Sequence, residues 1–315
     1  MTKKTVLITS LALLLLVAAL YLALNFWVKS MVDERMDEFV AGGYYQSLDY
    51  DNVWVQPNGE ISMKDLHVVD IDEHEYIFQD ITISECDYFN TFPHHLKLTA
   101  EGMQFPGGPP QFGNLQESGW NTYLETVIED DLLPIQLAYE YDYDPENAHR
   151  MNNDFRIGLP RSFLLTTNSV MDNIPVAQLN SLALGPGTSA TQYSTSIQDG
   201  NVLEANISVQ DLGVVPALLA AQGETIGLDP AEYREQLMVQ LQTMALFAPQ
   251  QLQFLAQELV LNFGEFLEGD KTLMISIKPE FGGNVQQLQG EVMGAFYIGN
   301  FERIVDVLNL EIDTD

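Results

Sequence analysis

The hydrophobic pattern of the chain begins with a long apolar segment near the N-terminus. Residues 5–28, TVLITSLALLLLVAALYLALNFWV, contain no charged side chain. As an α-helix this segment is about 36 Å long, which is enough to cross a hydrocarbon core of about 30 Å with some tilt. A cleaved signal peptide is the alternative, but the apolar run exceeds the usual length and no Ala-x-Ala site closes it. The segment is therefore predicted to be a retained transmembrane helix.

The flanks of this helix predict its orientation. The N-terminal tail carries Lys3 and Lys4 and no acid, so the positive-inside rule keeps it in the cytoplasm. Trp27 lies where an aromatic residue of the membrane interface is expected. The long region after the helix can be translocated regardless of its charge. We therefore expect a single-pass inner-membrane protein, anchored through residues 5–28, whose bulk lies in the periplasm.

One eight-residue phrase occurs twice downstream of the helix. Residues 61–68, ISMKDLHV, and 76–83, YIFQDITI, both read apolar, any, apolar, any, Asp, apolar, any, apolar. Alternation of apolar and other residues predicts a half-buried strand. At the Asp, however, the apolar positions switch from one face of the strand to the other, as they do at a β-bulge. Residues 96–105, LKLTAEGMQF, change parity after a glycine. Bulges are therefore predicted at Asp65, Asp80 and Gly102.

Bulges at one level in neighbouring strands would curl the sheet around its apolar face. The strand pattern places six apolar side chains on that face as the candidate lining of a groove. These residues are Ile61, Met63, Tyr76, Phe78, Leu96 and Leu98. The alternative is that they are ordinary core residues beneath helices.

These patterns divide the chain into segments. Residues 48–105 are expected to form a meander of about four antiparallel strands, with a turn at Pro57-Asn58-Gly59. The sequence PGGPP then indicates a linker. The predicted segments are a cytoplasmic tail (1–4), the transmembrane helix (5–28), a juxtamembrane connector (29–47), the meander (48–105), the Pro/Gly linker (106–114) and an α+β region (115–315).

The C-terminal region mixes helical and strand-like patterns. The clearest helix begins after Asp229, because Asp is a favourable N-cap, Pro230 suits the first helical position and Glu232 completes a capping box. A second helix follows Pro249, and the pair is expected to form a helical hairpin that covers a sheet. Further helices are predicted at residues 120–133 and 300–309, a broad hairpin at 135–144 and 154–160, and strands at 179–184, 203–209 and 272–279.

The predicted fold class is therefore α+β. An N-terminal transmembrane helix is followed by a curved, mainly antiparallel β-sheet, which packs with helices from the C-terminal half of the chain.

Composition limits the class of partner. The chain has 45 acidic and 13 basic residues and a net charge of −32. Such an acidic surface repels phosphate backbones, so we exclude nucleic acid as a partner and expect the surface to avoid anionic lipid headgroups. Solubility in a salty environment is the simplest explanation for the charge. Hydrophobic residues make up 46% of the chain, which is enough to form a sizeable core.

The sequence contains no recognised catalytic motif. There is no G-x-S-x-G, H-E-x-x-H, Gly-rich phosphate loop or Cys–His pairing, and Cys86 is the single cysteine. Residues 142–147, DYDPEN, resemble the start of a calcium loop but have Asn147 where glycine is needed. Residues 70–75, DIDEHE, surround His74 with four carboxylates and are expected to form a solvated turn. We predict no catalytic residue, no metal ligand and no cofactor, although a glycosidase-type carboxylate pair stays open.

Two resemblances extend this interpretation. The anchor followed by VWVQPNGEISMKDLHV resembles the start of AsmA-like envelope proteins, and this covers residues 1 to about 105. The stretches DPAEYREQL, LEGDKTLMISIKPE and VLNLEI are similar to membrane-anchored periplasmic proteins related to YdgA. The first resemblance implies a curled periplasmic sheet whose apolar inside carries lipid. A conduit across the envelope needs many more strands than 315 residues hold, so a shuttle, a stub or an accessory is implied.

These observations lead to three hypotheses on function. The first is a non-catalytic, membrane-tethered envelope protein whose sheet binds an acyl chain or a lipid-bearing partner, as a lipid-handling or envelope-maintenance accessory. The second is an adaptor that docks to a periplasmic or membrane complex through a strand edge or the acidic surface. The third, ranked last, is a hydrolase with an unrecognised carboxylate site.

Overall fold

The computed structural model describes most of the chain. The described residues are 3–43, 45–71, 73–86, 94–104, 132–174, 200–248, 253–279 and 284–315. The predicted linker at 106–114 and the predicted strand at 179–184 lie outside them. The predicted helix at 120–133 also lies outside them, except for its last two residues, which belong to a strand.

Six helices and ten strands lie within the described ranges. The helices are α1 (Lys3–Ala41), α2 (Val214–Ile226), α3 (Pro230–Leu246), α4 (Gln253–Phe266), α5 (Val285–Tyr297) and α6 (Phe301–Leu308). The strands are β1 (Tyr45–Val55), β2 (Ile61–Asp70), β3 (Glu75–Ser84), β4 (His95–Gln104), β5 (Leu132–Asp144), β6 (Arg150–Leu159), β7 (Phe163–Asp172), β8 (Asn201–Asp211), β9 (Thr272–Ile277) and β10 (Leu310–Thr314).

The ten strands form one antiparallel sheet in which each strand pairs with its neighbours in sequence, from β1 to β10. The sheet does not close into a barrel, so β1 and β10 are its edges. Helices α2–α4 connect β8 to β9, and α5 and α6 connect β9 to β10. This architecture confirms the predicted α+β class.

The predicted meander and its first turn are present in β1–β4. Val55 pairs with Ile61 across the turn, and the Gln56 N–H donates to the Glu60 carbonyl at 2.7 Å. Gly59 has a φ of 92°, which glycine adopts without a steric penalty. The turn chemistry of Pro57-Asn58-Gly59 therefore predicted this hairpin correctly.

The residues at which the apolar pattern changes face lie side by side in neighbouring strands of the sheet. Asp65 has a φ of 49°, and both it and Gln79 opposite are skipped in the β2–β3 ladder. Gly102, with a φ of 65°, is skipped in the β3–β4 ladder at the same level. Met63 and Leu66 consequently contact the same apolar cluster although they are three residues apart.

The structure contradicts the predicted bulge at Asp80. It lies in a regular ladder between Lys64 and Glu101, and its carboxylate pairs with the Lys64 ammonium group. The irregularity falls on its neighbour Gln79. No extra residue is inserted in β2 or β3, because both strands change parity at the same level and the register is preserved. A true register shift occurs between β4 and β5, beside Gly102.

Helix α1 continues well beyond the apolar segment. Residues 29–41, expected to be a connector, extend the helix without a break, because no Gly or Pro interrupts them. Val28, Val32 and Met36 are spaced by four residues and pack together against β1 and β2. By length and composition α1 can cross a membrane, either as an anchor or as a signal sequence.

The helices of the C-terminal half cover the other end of the sheet. Asp229 caps α3 through the predicted capping box with Glu232, and α3 packs against α4 as a helical hairpin. Val209 and Leu273 of the sheet contact the core beneath α2 and α4. The buried residues of this core are Val214, Val215, Leu219, Phe266 and Leu267. Helices α2 and α5 and strands β7 and β10 were not predicted from the sequence.

Candidate functional site

One face of the sheet, which we call the inner face, carries mainly apolar side chains. Residues directly opposite each other in a ladder point to the same side of the sheet. The first four aligned residues are Val55, Ile61, Ile83 and Leu98. The alignment continues through Tyr139, Phe155, Thr167, Ile207, Ile275 and Ile312. Helix α1 covers this face at β1 and β2, and α2 and α4 cover it near β8 and β9.

The six candidate groove residues lie on the inner face but in different surroundings. Ile61 and Met63 are buried against Val28 of α1. Leu96 packs against a separate cluster around Tyr141, and the remaining three, Tyr76, Phe78 and Leu98, are half-buried. The structure therefore does not bring the six residues into one groove. Met63 is instead a core residue beneath helix α1, which was the alternative interpretation.

The edge strand β1 is bound to α1 by two hydrogen bonds at Val55. The Tyr21 hydroxyl donates to the Val55 carbonyl at 2.5 Å, and the Val55 N–H donates to Asn25 Oδ1 at 2.7 Å. Both backbone groups of this residue would otherwise face away from the sheet without a strand partner. The bonds protect the edge and fix β1 against the helix.

Further along α1, Lys29 and Asp33 hold Tyr50 of β1. Lys29 Nζ lies 2.8 Å from the Tyr50 hydroxyl, which donates to the Asp33 carboxylate. The hydrogen bond with Tyr50 raises the pKa of Lys29 above its ordinary value. Burial, followed by the hydrogen bond to Asp33, raises the pKa of Tyr50. Both groups therefore stay protonated at neutral pH, and this contact also joins α1 to β1.

A cavity of about 750 Å³ lies between α1 and the ends of β1, β2 and β3. We call it the junction cavity. Helix α1 contributes Leu24, Trp27, Val28 and Met31 to its wall. The sheet side contributes Val55, Asn58, Gly59, Glu60, Ile61, Ser84, Glu85 and Cys86. The volume falls in the usual range of roughly 300–1,000 Å³ for small-molecule sites.

The chemistry of the junction cavity suits a hydrocarbon chain. Apolar side chains make up the helix wall, and burial of apolar surface contributes roughly 25 cal/mol per Å². The acidic side chains in the wall are the carboxylates of Glu60 and Glu85, and Glu85 lies 3.8 Å from Lys97. The cavity therefore favours an uncharged tail over an anionic group.

The two acidic stretches singled out in the sequence lie where strands end. In residues 70–75, His74 Nδ1 lies 3.0 Å from the Asp70 carboxylate, between β2 and β3. In residues 142–147, Asp144 accepts hydrogen bonds from the N–H groups of Glu146 and Asn147, which is an Asx-type turn. The part of the chain that the structure describes contains no group of three or more His, Cys, Asp or Glu side chains placed to hold a metal.

Asp211 is a buried residue that the sequence patterns did not reveal. Its side chain is 1% exposed, and its carboxylate accepts hydrogen bonds from the N–H groups of Gly213, Val215 and Asp270. These bonds fix the start of α2 and the turn between α4 and β9. The carboxylate is satisfied by backbone donors, so its role is structural.

A second cavity, of about 400 Å³, lies in the core beneath α2–α4. Its wall includes Phe163, Val209, Tyr233 and Phe263 and is almost wholly apolar. None of its lining residues belongs to α1.

The α3–α4 hairpin ends in exposed apolar side chains. Met244, Leu246 and Phe247 near the end of α3 are exposed, with Phe247 at 84%, and so is Phe254 at the start of α4. Residues 236–257 contain no charged side chain, although 18% of the whole chain is charged. Exposed apolar clusters of this kind are typical of surfaces that contact another molecule.

Fold and site together define the class of protein: an α+β chain whose N-terminal apolar helix is fixed to the edge of an open ten-stranded antiparallel sheet. A family model described as "Uncharacterized protein" matches residues 148–315, more than half of the chain, and the chain belongs to that family. The matched region holds β6–β10 and α2–α6. No curated protein and no solved structure matches the chain significantly.

Proposed function

We propose that the protein is a non-catalytic inner-membrane protein that binds the acyl chain of a membrane lipid in its junction cavity. In this proposal the sheet lies in the periplasm, and the protein acts as an accessory in lipid handling or envelope maintenance. The resemblance to AsmA-like proteins agrees with this role.

The position of the cavity carries the proposal. Leu24, Trp27 and Met31 belong to the same helix as the apolar segment 5–28. A lipid tail leaving the bilayer along α1 therefore meets the cavity without crossing water. The charge of the chain favours a lipid with a neutral or zwitterionic headgroup, because an anionic headgroup is repelled.

Location and orientation rest on the charges around the helix. Lys3 and Lys4 precede the apolar segment, and all 45 acidic residues of the chain lie C-terminal to it. The positive-inside rule then supports a cytoplasmic N-terminus and a periplasmic sheet.

Native mass spectrometry of the detergent-extracted protein tests the proposal. The wild type is expected to retain one lipid molecule. Met31→Asp should lose it while the protein still folds, since Met31 is 37% exposed and water reaches the new carboxylate. Met274→Asp is the matched control, because Met274 is 38% exposed and lies on β9, outside the cavity wall. A wild type without lipid, or a Met31→Asp protein that keeps it, contradicts the proposal.

An adaptor is the second candidate, and the exposed apolar end of the α3–α4 hairpin favours it. Docking by strand addition has less support at β1, where α1 occupies the Val55 backbone groups. A photoreactive amino acid at Phe247, compared with one at the exposed Ile226 of α2, separates the two roles. The adaptor role predicts a defined protein adduct at Phe247 alone, and the lipid-binding role predicts none.

A further inference from the structure

The contacts between α1 and β1 fix the height of the sheet along the helix. Tyr50 lies beside Lys29 and Asp33, whereas Val55 lies beside Tyr21 and Asn25. Strand β1 therefore runs towards the N-terminal end of α1, antiparallel to the helix. The β1–β2 turn, residues 56–60, follows Val55 and lies at or below the level of Asn25, and it shares the wall of the junction cavity with Leu24.

This placement conflicts with a membrane span that reaches Val28. A span over residues 5–28 would put Asn25, the polar turn and the Glu60 carboxylate at the depth of the hydrocarbon. An acidic side chain and non-helical backbone exposed to lipid are both unfavourable at that depth, because no water is present there to hydrogen-bond them. Val28 is also only 4% exposed, because it packs against the sheet and not against lipid.

We infer that the membrane-spanning part of α1 ends at Tyr21 and that the β1–β2 turn rests in the headgroup layer. The remaining apolar stretch, residues 5–20, has 16 residues and is about 24 Å long as a helix. Local bilayer thinning compensates for the difference from about 30 Å. Tyr21 then occupies the interfacial depth that tyrosine prefers.

The shorter span sets the orientation of the sheet. Strand β1 and its partner β2 stand upright on the membrane beside α1, with one turn at the lipid surface. Strand β2 has ten residues, so its far end at Asp70 and the adjoining Ile71 lie about 33 Å further from the bilayer. The β1–β2 turn, which forms part of the wall of the junction cavity, then lies in the headgroup layer. This inference does not depend on whether the cavity holds a lipid.

Depth-dependent quenching in vesicles tests the inference. The full chain carrying Cys86→Ser is reconstituted into phosphatidylcholine vesicles with single cysteines at Asn58 or Ile71, both exposed turn positions, labelled with an environment-sensitive dye. Pro57→Cys provides a second position in the first turn. Lipids with a spin label at the headgroup should quench the dye at residues 57 and 58 several-fold more than the dye at 71.

Two outcomes overturn the inference. Equal, weak quenching at 57, 58 and 71 means that the first turn stands away from the lipid. Stronger quenching at 57 and 58 by a label deep in the acyl chains than by the headgroup label means that the turn is submerged and the span reaches Val28.

Discussion

The side chain of Asn25 accepts a hydrogen bond from the backbone N–H of Val55 at 2.7 Å. A residue inside the apolar N-terminal segment thereby holds the last residue of the first strand. The neighbouring Tyr21 hydroxyl binds the carbonyl of the same residue. Helix and sheet edge are therefore joined through backbone groups, and the junction cavity lies where they meet.

Replacement of Asn25 by Ala should loosen this junction. The Val55 N–H loses its acceptor, and a buried donor without a partner costs about 1–3 kcal/mol. Hydrogen exchange in β1 and the β1–β2 turn should become faster while exchange in β6–β8 is unchanged. Asn152→Ala, at an exposed position of β6, is the control. Unchanged exchange in β1 would show that the helix does not support the edge.

Asp65 and Asp80 should respond oppositely to the same pair of substitutions. Asp65 has a left-handed backbone, so Asp65→Gly should be neutral or stabilising and Asp65→Val should cost about 1–2 kcal/mol. Asp80 lies in a regular ladder, so Asp80→Gly should cost about 1 kcal/mol and Asp80→Val should be better tolerated. Denaturant unfolding of the four variants measures this. The same order of stability at both positions would contradict the assigned backbone conformations.

Met63→Asp should prevent folding. The new carboxylate would be buried without a partner beneath α1, at a cost of several kcal/mol against a total stability of roughly 5–15 kcal/mol. The variant should be missing from the membrane fraction, whereas Met63→Leu should accumulate normally. Phe78→Asp, at a half-buried position outside the junction cavity, should fold and keep a copurifying lipid. Normal accumulation of Met63→Asp would mean that this part of the inner face is open to water.

Asp211→Ala should destabilise the helical layer. It leaves three backbone N–H groups without their acceptor, so we expect a loss of about 3 kcal/mol or more. Limited proteolysis should then cut first near α2 and the turn before β9. Asp313→Ala, at an exposed position of β10, should behave as the wild type. Equal stability of the two variants would show that the buried carboxylate is dispensable.

The elements predicted from the sequence are those whose cause is local. The β1–β2 turn follows from Pro57-Asn58-Gly59, and the start of α3 follows from Asp229 and Glu232, because all the interacting groups lie within a few residues. The parity change at Asp65 is likewise visible in the apolar spacing. The bulge predicted at Asp80 is wrong because the repeated phrase has an Asp at the same position in both strands, whereas the backbone irregularity in β3 lies one residue earlier, at Gln79.

The elements that the sequence did not predict depend on partners that are distant in sequence or on polar positions in the core. Strand β7 has Thr167 and Ser169 on the inner face, where Ser169 hydrogen-bonds to Asn153, so apolar alternation is lost. Helix α2 contains Pro216 and Gly223, which weaken a helical pattern, and its start is held by Asp211. The junction cavity is lined by both Leu24 and Cys86, which are far apart in sequence, and no local pattern predicts that they line one cavity.

Lipid binding in the junction cavity is tested by photo-crosslinking with a phosphatidylethanolamine that carries a diazirine near the end of one acyl chain. The full protein is irradiated in bilayers containing this lipid, and the adducts are mapped by mass spectrometry. If an acyl chain occupies the junction cavity, adducts form at Met31 and at residues 84–86 in the cavity wall, and they are reduced by Met31→Asp and unaffected by Met274→Asp. Adducts confined to residues 5–20, which the bulk bilayer surrounds, would contradict lipid binding in the cavity.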